Sequence, residues 1–253
     1  MNSNTLAPNE VIHDLLGFKN RRIIQRTDRF HFSLDTILLA DFVRLTVRQK
    51  KILDLGTGNG PIPLFLSSKT HAHITGIELQ EDMVDLAKRN VALNQLNTQI
   101  DILALDIKDV KTHFPSSQFD VVTCNPPFFK VPEQAHLNDT LELSLARHEL
   151  AIDLPHIVAA ARHALKQQGA LYMIHRAARF QEILVALHTQ RFTLKRARFV
   201  YPKANSEAMM VLLECRYDGG HECHIEPPLI VHDEQGAYTP EIKAIFTNRE
   251  GSE

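Results

Sequence analysis

Apolar and polar positions fall into two alternating kinds of block along the chain. Five short runs, 51–55, 73–77, 100–105, 119–124 and 170–175, are dominated by apolar and β-branched residues and read as buried strands. Between them lie longer stretches of helical period. One opens at Phe32-Ser33-Leu34-Asp35, with Ser33 as its cap and Leu34, Leu38, Leu39, Phe42 and Val43 on one face. Others begin at Pro61, run from Gln80 to about Leu96, and cover 152–167, where Gly169 is the expected cap, and 178–189. Two further strands, 191–201 and 208–215, are joined by Pro202-Lys203-Ala204-Asn205-Ser206-Glu207 as a hairpin. The tail gives a terminal strand after Pro227, then a short helix led by Tyr238-Thr239-Pro240. The pattern predicts an α/β fold with a central, mostly parallel twisted sheet.

Chemistry concentrates where these strands end. Phe119-Asp120-Val121-Val122-Thr123-Cys124 runs into Asn125-Pro126-Pro127-Phe128, and prolines 126 and 127 lack the amide hydrogen needed to continue a ladder. The strand therefore stops at Asn125, at the edge where open α/β sheets bind ligands. An amide oxygen at Asn125 and a carbonyl at Pro126 can accept both hydrogens of an exocyclic amine, while Phe128 stacks on its ring. Holding those hydrogens aside exposes a delocalised lone pair for in-line attack without a dedicated base. A proline-stiffened loop is the alternative for an isolated Asn-Pro-Pro, so neighbouring motifs decide.

Lys51-Ile52-Leu53-Asp54-Leu55 leads into Gly56-Thr57-Gly58-Asn59-Gly60 and then a helix with Pro61 in its first turn. Glycines let the backbone approach a ligand closely. A dinucleotide fingerprint would place a third glycine at position 61, so Pro61 argues against a nicotinamide cofactor. The next strand ends in Glu78, about 20 residues past the loop, where a carboxylate can accept both hydroxyls of a ribose. The third ends in Asp106, placed to take an adenine amino group. As helix N-terminal acids, Glu78 and Asp106 would serve the macrodipole alone.

Formal charge is −2 with histidines neutral, so a nucleic-acid surface must be local. Two clusters qualify: Lys19, Arg21, Arg22, Arg26 and Arg29 in an N-terminal hairpin or arm, and Lys195, Arg196, Arg198 and Lys203 near the C-terminal hairpin. Solvated faces are the alternative for both. Cys124, Cys215 and Cys223 cannot all pair, which suits a reducing compartment. With no signal-peptide pattern and no run of about 18 apolar residues, a soluble cytoplasmic protein is expected. His221-Glu222-Cys223-His224 lacks a paired Cys-x-x-Cys, and no metal site is expected.

The ordered set Asp54 to Gly60, Glu78, Asp106 and Asn125 to Phe128 resembles the class I S-adenosylmethionine-dependent methyltransferases that act on exocyclic amines. Leu15-Leu16-Gly17-Phe18-Lys19, Phe32-Ser33-Leu34-Asp35, Ala146-Arg147-His148-Glu149 and Pro227-Pro228-Leu229-Ile230-Val231 extend the likeness over most of the chain to bacterial tRNA adenine-N6 methyltransferases that modify valine tRNA beside its anticodon. The resemblance implies a Rossmann-like seven-stranded sheet whose last strand is antiparallel. It implies a basic arm over 1–32 and a methyltransferase domain over 33–253, with tRNA as partner. Phe32, Ser33 and Asp35 would close over the methionine end of S-adenosylmethionine, with Gly56 and Gly58 beside it, Glu78 at the ribose and Asp106 at the adenine. Asp54, Thr57, Gly60, Leu79, Ile107 and Asn125 would be further cofactor contacts, and Asn125, Pro126, Pro127 and Phe128 would hold the target base. Arg147 and His148 would touch RNA phosphate or fix a loop. Rivals are a glutamine-N5 methyltransferase, which favours tyrosine at position 128, and a guanine-N2 rRNA methyltransferase, which often has histidine at 129. A non-catalytic RNA-binding module is the rival outside enzymes.

Overall fold

A computed structural model describes residues 6–15, 21–28, 34–126 and 154–247. A hairpin of β1 (Glu10–Asp14) and β2 (Arg22–Arg26) precedes helix α1 (Leu34–Phe42). There follow β3 (Lys51–Leu55), α2 (Pro61–Leu66), β4 (His73–Glu78), α3 (Glu81–Leu93), β5 (Ile100–Ala104), a 3-10 turn at Ile107–Asp109, α4 (Val110–His113) and β6 (Phe119–Cys124). The second half carries α5 (Leu154–Ala164), β7 (Leu165–Arg176), a 3-10 turn at Ala177–Arg179, α6 (Phe180–Thr189), β8 (Phe192–Tyr201), β9 (Met210–Tyr217), β10 (His224–Ile225), β11 (Leu229–Ile230) and α7 (Pro240–Thr247).

The large sheet runs β10-β8-β9-β7-β6-β3-β4-β5, with β11 also on β8. The seven expected strands are β3 to β9, and the two-residue β10 and β11 extend the edge. Among the described strands of this sheet, β9 alone runs against the others. From β3 the chain winds outward through β4 and β5, then returns to place β6 on β3's other side. The strand order therefore reverses between β3 and β6, and a crevice opens at their carboxyl ends. Alternation along the strands sends Ile52 and Val121 into the core beneath α1, α2 and α3, and Leu53, Leu55, Val122 and Cys124 into a second core beneath α4, α5 and α6.

Gly169 does not cap a helix. The preceding helix ends at Ala164, and the left-handed residue is Gln168 (φ 63°). Register jumps from Phe119↔Leu165 to Val121↔Ala170, a bulge in which a Cβ on Gly169 would lie 2.8 Å from the Lys166 carbonyl. Crowding, not capping, calls for glycine there.

Helix α1 is buried at Thr36, Ile37, Leu38, Leu39, Ala40 and Phe42, a wider face than the stripe read from sequence. Its C-terminal carbonyls are met by cations. Lys69 Nζ donates to Ala40 (2.7 Å), Asp41 (2.9 Å) and Val43 (3.3 Å), and Arg196 donates to Phe42 (2.6 Å). Arg196, expected on an RNA-facing patch, is thus buried: it lies opposite Glu214 on β9, bonds Glu214 (2.9 Å) and Glu226 (3.0 Å), and stacks 3.6 Å from the Phe42 ring centroid. Arg198, on the same strand face, is drawn to Glu241 (2.6 Å) and the Pro227 carbonyl (3.0 Å). Lys195 reaches the Gly220 carbonyl at 3.1 Å, and Lys203 is exposed.

Two arginines of the N-terminal cluster are likewise engaged by protein partners. Arg21 donates to the Leu64 carbonyl (3.3 Å) and to Ser67, and Arg26 pairs with Asp28 (2.7 Å) and Asp82 (2.8 Å), while Arg22 stays exposed. Lys19 and Arg29 lie outside the described residues. Asparagines fasten the hairpin to α3. Asn90, wholly buried, accepts from the Ile24 amide (2.6 Å) and donates to the carbonyls of Ile24 (3.1 Å) and Asn59 (2.9 Å); Asn94 repeats the exchange with Arg22 (3.0 and 2.7 Å). Among the described residues, no helix is long and apolar enough to cross a membrane. Asn90→Ala would take the side-chain partner from two buried backbone groups, the Ile24 amide and the Asn59 carbonyl, while the Ile24 carbonyl keeps the Asn59 side-chain amide at 3.1 Å; a loss of about 2–4 kcal/mol is expected, read as a fall of about 5–15 °C in thermal unfolding.

Candidate active site

Leu55 and Cys124 are paired residues at the ends of β3 and β6, so Gly56 and Asn125 leave the sheet side by side. Gly56 (φ 68°) and Gly58 (φ 57°) both hold left-handed backbone that a side chain would strain. A Cβ on either would meet nothing closer than 4.0 Å, from Ile107 Cδ1 and Met83 Cε respectively, so the loop's face is open. Gly60 turns the chain into α2.

Glu78 braces this loop. One carboxylate oxygen accepts from the Gly58 amide at 2.9 Å, and the other accepts from Leu79 (2.8 Å) and Gln80 (3.0 Å) at the start of α3. Of about four lone-pair directions three are occupied, which leaves one for a ribose hydroxyl. Asp106 caps the 3-10 turn by accepting from the Lys108 amide at 2.9 Å. Leu79 stands exposed, while Ile107 is buried beside Gly56. Asp35 lies in the first turn of α1. Phe32, Ser33, Pro127, Phe128, Arg147 and His148 fall outside the described residues.

Asp54 is fully buried and receives the Thr123 hydroxyl at 2.6 Å from the paired position on β6. Burial is the main cause that pushes its carboxyl up to about 7; Thr123 and Thr57 oppose this, and the Glu78 charge adds to it. Thr57 favours the ionised form without completing a hydrogen bond of normal geometry. Asp54 Oδ2, Thr57 Oγ1 and Asn125 Oδ1 are buried without a protein partner, three of five such side-chain atoms among the described residues. The amide nitrogen of Asn125 donates to Thr36 Oγ1 at 3.0 Å. Pro126 is buried beside it.

These elements bring together Asp54, Gly56, Thr57, Gly58, Gly60, Glu78, Leu79, Asp106, Ile107 and Asn125 along the carboxyl edge of β3 to β6. Sequence reasoning passed over Thr36 and Thr123. A signal for Thr123 was available: it stands two residues before Asn125, as Asp54 stands two before Gly56, each a polar residue among the apolar ones at its strand's carboxyl end. Among the described residues no group of three or more His, Cys, Asp and Glu side chains could hold a metal ion.

Residues 32–199 match the model of a family described as the methyltransferase small domain. The chain belongs to that family. A relative from Porphyromonas gingivalis (strain ATCC 33277), named tRNA1(Val) (adenine(37)-N6)-methyltransferase, is 30% identical over 90% of this chain and 91% of its own length. One of the same name from Cytophaga hutchinsonii is 25% identical over 91% and 97%. In fold, this methyltransferase is similar to an Agrobacterium tumefaciens protein described as a predicted O-methyltransferase (TM-score 0.68, 22% identity, 87% of this chain and 98% of that one). It is similar also to geranyl diphosphate C-methyltransferase from Streptomyces coelicolor A3(2), whose structure contains S-adenosyl-L-homocysteine (TM-score 0.56, 12% identity, 72% and 78%).

The open glycine loop, the carboxylates and the unpartnered buried acceptors fit a cationic ligand bearing a ribose. Folded, Asp54 keeps its proton to about pH 7; unfolded, it releases it near 4. The cost of burying this group is therefore absent below about pH 4, grows between 4 and 7, and is full above. Asp54→Asn should gain stability relative to the parent by about 2–3 kcal/mol as pH rises from 5 to 8. Denaturant unfolding of both proteins across that range checks it, and a pH-independent difference would place the proton elsewhere.

Proposed function

We propose that this methyltransferase transfers the methyl group of S-adenosylmethionine to the exocyclic N6 of an adenine in tRNA, beside the anticodon of valine tRNA. The observation that carries this reading is Asn125 Oδ1, a buried acceptor without a protein partner, set next to the glycine loop at the point where strand order reverses. The names of the curated relatives support the choice of tRNA adenine over other amines.

In this reading the glycine loop with Asp54 and Thr57 holds the methionine part of the cofactor, with Asp35 and, from the sequence, Phe32 and Ser33 closing over it. Glu78 takes the ribose, Leu79 and Ile107 flank the adenine, and Asp106 accepts its amino group. The cofactor supplies an electrophilic methyl carbon. Asn125 Oδ1 and the Pro126 carbonyl accept the two hydrogens of the target amine, which turns its lone pair toward that carbon. From the sequence, Pro127 and Phe128 follow as the rest of the motif, the phenyl ring being the group suited to stack on the base. The amine becomes acidic only as the new bond forms, so its proton leaves to a neighbouring carbonyl or to water. The target adenine must leave its stack to reach this corner. Among the described residues of the two basic clusters, exposed Arg22 and Lys203 serve as phosphate contacts, with residues 1–32 as an arm on a domain of 33–253. A tRNA substrate assigns the protein to the cytoplasm.

Labelled S-adenosylmethionine incubated with tRNA lacking the modification is expected to yield N6-methyladenosine on nucleoside analysis. Label found in rRNA guanine or protein glutamine instead would overturn the assignment. Asn125→Ala should cut turnover about a hundredfold while leaving cofactor affinity within about threefold. Glu78→Ala should weaken binding of S-adenosylhomocysteine about tenfold or more by calorimetric titration, since hydrogen bonds to a charged group are lost. Unaltered affinity would leave Glu78 only its role as brace of the Gly58 amide.

A further inference from the structure

An asparagine amide is chemically two-sided. One edge accepts and the other donates, and the torsion that exchanges them is broad and roughly two-fold, so packing alone holds the two orientations apart weakly. For Asn125 the two orientations differ in consequence. With Oδ1 toward the crevice it can receive an amine hydrogen; turned over, it would present two donors to a group that is itself a donor.

Thr36 fixes where the amide lies: its hydroxyl can donate as well as accept, and here it meets the Asn125 nitrogen edge. Its hydroxyl oxygen accepts from Asn125 Nδ2 at 3.0 Å, and its residue is 4% exposed, so bulk water does not compete for the contact. The same amide's oxygen is the buried atom left without a partner. The two residues stand 89 positions apart, one in the first turn of α1 and one at the end of β6, and nothing local in the sequence joins them. α1 is itself held firmly, because Lys69 and Arg196 occupy its C-terminal carbonyls and Tyr172 donates to the Arg44 carbonyl at 3.1 Å. A hydroxyl on a helix fixed at its far end is a rigid reference for the amide.

We infer that Thr36 is a positioning residue for methyl transfer: its hydroxyl accepts from the amide nitrogen of Asn125 and thereby fixes the amide plane from which Oδ1 meets the target amine. The inference rests on the role proposed for Asn125. Thr36 touches neither substrate nor cofactor in it, and its effect is exerted through the amide.

The test is a double-mutant cycle on the full chain, with unmodified tRNA and S-adenosylmethionine as substrates. Thr36→Val keeps shape and removes the hydroxyl; it should lower kcat about 10- to 30-fold, with KM for tRNA and cofactor affinity within about threefold. Thr36→Ser restores the hydroxyl and should return kcat to within about threefold of the parent. In an Asn125→Ala background, Thr36→Val should cost less than about twofold more, because the group it positions is gone. Loss of the same size in both backgrounds, or a serine variant as slow as the valine one, would assign Thr36 to packing and overturn the inference. Thermal unfolding of each variant confirms that rates are compared between folded proteins. If Asn125→Ala alone keeps the parent rate, the role of Asn125 falls and this inference with it. If Asn125→Ala is slow and Thr36→Val is not, only the inference falls.

Discussion

The pairing of β3 with β6 is the constraint on which the rest depends. Leu55 faces Cys124 and Asp54 faces Thr123, with the threonine hydroxyl bonding the buried carboxylate at 2.6 Å. That register sends the glycine loop and the Asn125 corner out of the sheet as neighbours. A slip of one residue would exchange every side chain between the two cores, moving Asp54 from beneath the glycine loop and Cys124 out of its apolar pocket. The parallel topology leaves both strand ends without a ladder partner beyond this point. The crevice there follows from chain direction and needs no special loop to create it.

A second frame meets the first from the side. Helix α1 brings Thr36 to Asn125, and its far end is tied by Arg196 to β8, β9 and the segment around Glu226. A buried arginine with two carboxylate partners and an aromatic ring contributes little net stability against apolar side chains of equal volume, but removing one partner is costly. Its value here is geometric: four separate stretches of chain must agree for the guanidinium to be satisfied. The hairpin is fixed by the same logic, with the Asn90 amide engaging strand β2 and the Asn59 carbonyl of the glycine loop together. The C-terminal hairpin and the N-terminal hairpin thus both bear on the crevice through single polar side chains.

Strands, the glycine loop, Glu78, Asp106 and Asn125 were legible because each is written in adjacent residues: an apolar run, then the group that stops it. Helix ends were less so. Lys166, Gln167 and Gln168 carry helical propensity, yet the bulge opposite Asp120 takes them into β7, since ladder bonds with β6 outweigh a weak local preference. Three arginines of the basic clusters misled for a different reason. Charge along a strand or arm says which residues are cationic, not where their partners are, and Arg196, Arg198 and Arg26 find carboxylates 18, 43 and 56 positions away. Thr36 and Asn90 were unreadable for the same cause: a polar residue in a helix acquires meaning only when its partner arrives from another part of the chain.

Buried polar atoms without partners each cost about 1–3 kcal/mol, and folded domains keep few of them. Asp54 Oδ2, Thr57 Oγ1 and Asn125 Oδ1 lie on adjoining strands and the loop between them. Leucine or valine at those positions would relieve the penalty, so stability does not account for the polar groups. Thr123 and Thr36 each satisfy one side of a partner and leave the other open, Thr123 at Asp54 and Thr36 at Asn125. A packing defect would not be supported so selectively. An arrangement that holds acceptors rigid, dry and half-satisfied has its electrostatic reorganisation done before a donor arrives, which is the condition under which a hydrogen bond strengthens as charge develops. The same three atoms therefore cost the fold stability and prepare it for chemistry.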